Sequence, residues 1–150
     1  MLFKPKWIKL LPSNLRPDGK RISQLENFRR TFGIPHEALA MRVISSPVTT
    51  RRVQRNCFET FRVRNPQASQ KELLTMVFLS RIQTPPVIEM TEEETDQAIK
   101  SINSFDELCD CIIKLEEKEP SFSDPFGIGK VMDEILAQEV VEKGEERNGN

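Results

Sequence analysis

At 150 residues, 37% of them apolar and 30% charged, the chain suits one compact domain that buries roughly two-thirds of its unfolded surface without help from disulfides or metals. Ten Pro against six Gly exclude a collagenous or Gly-rich chain, and no apolar run approaches the ~20 residues of a membrane-spanning helix, so no membrane partner is expected. The net charge of −1 hides a division: residues 1–83 carry 16 Lys+Arg and 5 Asp+Glu (net +11), whereas residues 84–150 carry 6 and 18 (net −12).

Residues 1–20 have no sustained period and read as an irregular arm. Trp7, Ile8, Leu10 and Leu11 suit a short strand or a segment packed on the body, and Arg16-Pro17-Asp18-Gly19 suits a turn. A helix is expected from about Arg21 to Phe32, with Ile22, Leu25, Phe28 and Phe32 on one face, ended by Gly33 as a left-handed cap. Pro35 suits the first turn of a second helix, because its missing N–H would be unpaired there anyway; that helix stops near Ser45-Ser46-Pro47. A third runs from about Thr49 to Val63 with Val53, Cys57, Phe58 and Phe61 inward, until Asn65-Pro66 breaks it. Ser69 with Glu72 forms a capping box that opens the most hydrophobic segment, Leu73 to Ile82, expected to be a central buried helix.

The charge changes sign at Thr84-Pro85-Pro86, where two prolines forbid a helix. Thr91 with Glu94 and Ser104 with Glu107 repeat the capping signature and open two more helices. Residues 120–125 read as a loop with Asp124 as the cap of a last helix, about Gly127 to Lys143, and the tail 142–150 as frayed. The expected fold is all-α: a compact bundle of six or seven short helices in a single domain, with an irregular N-terminal arm.

The stretch Leu25 to Val43, helix–Gly33–helix, resembles a helix-turn-helix. That resemblance implies a nucleic-acid contact through Arg21, Arg29, Arg30, His36 and Arg42. The same residues also read as two bundle helices joined by a Gly turn. Arg29 stands four residues before Gly33, where such motifs hold a small residue, and Glu37 would repel phosphate.

Catalytic and metal chemistry find no support. Cys109 and Cys111 are two apart and point to different faces of a helix, Cys57 is remote in sequence, and His36 is the sole imidazole, so a zinc set is not assembled. Three cysteines, with a Lys- and Pro-containing start rather than a secretory signal, suggest reduced thiols and a cytoplasmic setting. Glu92-Glu93-Glu94 with Asp96 complements the dipole of a first helical turn. Asp124 to Lys130 lacks the spacing of a phosphate loop. No enzyme activity, metal or cofactor is expected.

The strongest candidate contact residues are Arg51, Arg52, Arg55, Arg62 and Arg64, because an arginine fork matches carboxylates and phosphates alike. They suit an adaptor or regulatory protein that binds a partner with an acidic surface, and basic–acidic complementarity also allows a homodimer. Three other readings stay open. The arginines could bind nucleic acid, with the acidic part as an inhibitory or dimerising region; the acidic part could fold back and neutralise the basic part; or both could be ordinary solvated faces.

Overall fold

Side-chain caps open five of the eight described helices in this computed structural model, which describes residues 4–119, 124 and 126–148, with α8 side chains described as far as residue 138. Eight α-helices and no strand occur among the described residues: α1 Lys6–Lys9, α2 Gly19–Phe32, α3 His36–Ser45, α4 Pro47–Arg64, α5 Gln70–Gln83, α6 Glu92–Ser101, α7 Phe105–Lys118 and α8 Gly129–Asn148. Asp18, Ser69, Thr91 and Ser104 each accept a hydrogen bond from the backbone N–H three residues on, and the boxes Ser69/Glu72 and Thr91/Glu94 are complete. Asp124 takes two donors at α8, Ile128 N–H at 3.0 Å and Gly129 N–H at 2.9 Å. Each such cap satisfies a donor that the helix leaves orphaned and contributes about 1 kcal/mol.

The all-α expectation holds. Of the two forms expected for the arm, it takes the packed segment rather than the strand: α1 and a 3-10 turn at Ser13–Leu15, with Trp7, Ile8 and Leu11 buried in the core. Pro47 opens α4 rather than merely closing α3, as a residue without an N–H can at a first helical position, so α4 starts two residues before the expected Thr49. In the expected loop, residues 120–123 and 125 lie outside the described residues, as do residues 149–150 of the tail, while α8 continues to Asn148.

Contacts group the chain into two compact units, residues 1–49 with 124–150 and residues 50–123. In the first, α3 packs on α1 and α8, and α2 packs on α8. Its core joins Trp7, Ile8 and Leu11 to Leu25, Leu39 and Val43, and to Ile128, Met132 and Leu136 of α8. Of the expected α2 face, Leu25 is buried and Ile22 and Phe28 pack half-buried on this core, whereas Phe32 is 66% exposed and Arg21 joins the buried side.

In the second unit α5 packs on α7. Leu74, Val77, Phe78 and Ile82 meet Leu108 and Ile112, and Cys57, Phe58 and Phe61 of α4 cover them. The expected burial of α5 is thus realised within this unit. A buried polar network ties its helices together: Arg81 Nε donates to Glu116 Oε1 at 3.0 Å, and Thr50 Oγ1 donates to Oε2 at 3.1 Å. Arg81 Nη1 also donates to the carbonyls of Thr84 (3.2 Å) and Pro86 (3.0 Å), which holds the segment leaving α5. Lys71 Nζ donates to the carbonyls of Ile99 and Ile102 at the end of α6, where a cation both fills orphan acceptors and suits the helix dipole.

This division redistributes the sequence's charge. The first unit carries 12 Lys+Arg and 10 Asp+Glu, the second 10 and 13, so neither keeps the large imbalance of the linear chain. The acidic α8 packs among the basic N-terminal helices, and the acidic α7 lies with α4 and α5 in the second unit. Within the units, residues of the basic part pair with residues of the acidic part at Arg42–Asp133, Arg51–Asp110 and Arg81–Glu116.

Candidate interaction surface

Helical periodicity places Arg51, Arg55 and Arg62 along one stripe of α4, with Cys57, Phe58 and Phe61 packed on the core of the second unit. The arginines differ in what they meet. Arg51 Nη2 pairs with Asp110 of α7 at 3.0 Å, both side chains being more than half exposed. Arg52 is half-buried. The Arg55 guanidinium lies 3.7 Å from the centroid of the Phe105 ring, which itself stands edge-on to Phe58 at 6.2 Å; a cation over an aromatic face is attracted by the ring quadrupole. Arg62 is held by Glu59 of its own helix at 2.6 Å. Arg64 is exposed and makes no ion pair among the described residues.

Arg51 and Arg55 therefore engage α7 and Arg52 is half-buried, while the terminal part, Arg62-Val63-Arg64, faces solvent. Val63 is 71% exposed, the largest exposure among the big apolar side chains described. It lies off the inward stripe.

The helix-turn-helix candidates fare differently. The α2–Gly33–α3 geometry forms, with Gly33 at φ 65°. Arg21, however, is fully buried and donates to Gln24 and, at 3.2 Å, to Gln138 of α8. Arg29 pairs with Glu26 and donates to the Ile34 carbonyl at 3.3 Å. Arg42 donates to Ser45 at 3.1 Å and faces Asp133 of α8 at 3.9 Å. His36 is half-buried with Nδ1 turned inward. Arg30 alone of the five is exposed. The expected phosphate-facing set is not assembled, because packing on α8 and local pairing draw these side chains into the first unit.

The thiols are chemically quiet. Burial pushes Cys109 up to about 11, against the opposing pull of Arg51 and Arg55, and burial likewise raises Cys57 and Cys111. All three are free thiols, protonated at neutral pH. Among the described residues no three His, Cys, Asp or Glu side chains come together as a metal site, and no helix is long and apolar enough to cross a membrane.

One feature of the second unit escaped sequence reasoning. A cleft of about 590 Å³ opens between the end of α5 (Leu79, Ile82, Gln83), the segment Val87–Met90 and the first turns of α6 (Glu92, Thr95, Asp96). Its signal was available: Val87-Ile88-Glu89-Met90 alternates outward and inward, with Ile88 buried and Val87 53% exposed. No family model, curated protein or solved structure matches this chain.

Proposed function

We propose that the chain is a non-enzymatic helical interaction protein, an adaptor or regulator, which engages an acidic surface through the end of α4. The observation that carries this reading is Val63, 71% exposed between Arg62 and Arg64. An aliphatic side chain left in water gains about 1.5–3 kcal/mol when a partner covers it. Arginine is the charged residue that interfaces favour, since its weakly hydrated plane stacks and its fork pairs with carboxylates. Arg55 extends the basic stripe, while Arg51 and Arg52 contribute less because neighbouring groups already engage them. A cytoplasmic location belongs to the same reading, supported by three free cysteines.

The test is affinity capture from cell extract with the full chain and its R62E/V63S/R64E variant, compared by quantitative mass spectrometry. Loss of a salt-sensitive set of proteins from the variant supports the reading. An identical set from both chains defeats it.

A further inference from the structure

Resting on that reading of α4, we infer that the acidic surface it engages is the α5–α6 cleft of a second copy of this chain. The cleft has an apolar floor, with Leu79, Ile82 and Ile88 among its lining, and a rim bearing Glu89, Glu92 and Asp96. All three carboxylates are exposed, none has an ion pair among the described residues, and no basic side chain lines the cleft.

The helix dipole accounts for Glu92, which lies in the first turn of α6, but not for the whole rim. Glu94 is the carboxylate that α6 uses, in its capping box with Thr91, while Glu89 precedes the helix altogether. Val87, 53% exposed at the same cleft, is likewise unexplained by folding. The rim is a row of carboxylates around an aliphatic hollow, and its complement is an aliphatic side chain flanked by cations.

The end of α4 is that complement. Val63 supplies the aliphatic centre, Arg62 and Arg64 the flanking charges. A volume of about 590 Å³ falls within the range of sites that enclose several side-chain groups. The two features do not meet within one chain, since Val63 stands in solvent and is absent from the cleft lining. Glu59, which holds Arg62 in the free chain, is an exposed partner of the kind that exchanges at little cost. The contact joins two different patches, so a two-fold pair forms it twice, and a head-to-tail array forms it once per copy.

Sedimentation velocity on the full chain tests this, across a dilution series at roughly 50 mM and roughly 500 mM salt, because screening weakens exposed ion pairs. The wild type is expected to self-associate at low salt and to sediment as monomer at high salt. R62E/V63S/R64E alone and E89K/E92K/D96K alone are each expected to stay monomeric while keeping the wild-type circular dichroism. An equimolar mixture of the two variants, which brings the unaltered Arg62-Val63-Arg64 end of one to the unaltered acidic cleft of the other, is expected to associate again, as pairs. A wild type that remains monomeric throughout, or an association that neither reversal disturbs, overturns the inference. So does a mixture that stays monomeric when each variant is folded. If the wild type is monomeric but R62E/V63S/R64E still loses its captured proteins, this inference falls and the reading of α4 stands; if capture is also unchanged, both fall.

Discussion

Glu116 is the acidic residue whose removal should cost the second unit most. Its carboxylate is buried, with Arg81 on one oxygen and Thr50 on the other, and the paired side chains are 3% and 10% exposed. Glu116→Leu leaves the Arg81 guanidinium without its counter-ion in a poorly hydrated site, which typically costs about 3–5 kcal/mol. Removing Arg81 as well, in Arg81→Met/Glu116→Leu, eliminates the stranded charge. What is then lost is mainly the pair of hydrogen bonds to the Thr84 and Pro86 carbonyls, at about 0.5–1.5 kcal/mol each. The double variant should therefore be more stable than E116L, by about 1–3 kcal/mol. Urea unfolding followed by far-ultraviolet circular dichroism reports both units, while the fluorescence of Trp7, the single tryptophan, reports the first. A Glu116→Leu cost below about 1 kcal/mol, or a double variant less stable than the single one, would refute this account of the network.

Three other outcomes follow from local geometry. Lys71→Met removes the donor that closes the end of α6, and should lower stability by about 1–3 kcal/mol, with faster amide exchange in α6 than in α5. Gly33→Ala should cost about 1–2 kcal/mol through its positive φ alone, since an added Cβ meets no atom within 4 Å; an unchanged urea midpoint would contradict that. Burial raises the Asp133 carboxyl above its ordinary value, despite the opposing effects of Ser46 and Arg42. Between the ordinary and the raised value the folded chain binds more protons than the unfolded one, so this group's contribution to stability falls as pH rises through that window. Asp133→Asn should flatten that slope in the Trp7-monitored transition, and an unaltered slope would count against the assignment.

Features that depend on a few neighbouring residues were legible in the sequence. Ser69 with Glu72, Thr91 with Glu94, Asp124 and Gly33 mark helix ends because a cap needs only the adjacent turn. Most of the inward face of α4 was also legible, as Cys57, Phe58 and Phe61 repeat at helical spacing. The fate of the charges was not, because it depends on which distant helices pack together. Arg21 looks like a surface residue by type, yet it stands four residues before Leu25 on the stripe that α8 covers. That spacing was its one available signal. Glu116 likewise belongs to an acidic run in the sequence but shares the buried stripe of Leu108, Cys109 and Ile112. The cleft was legible only in the alternation of Val87 to Met90, because its walls come from α5, α6 and the segment between them and no one element carries its shape.

The most direct test of the account is a photo-crosslinking residue placed at position 63 of the full chain, with an equivalent residue at exposed position 100 as the comparison. The account predicts adducts from position 63 to an acidic segment of a bound protein, lost at high salt and far fewer from position 100. No adduct from position 63, or equal labelling from both positions, would contradict it.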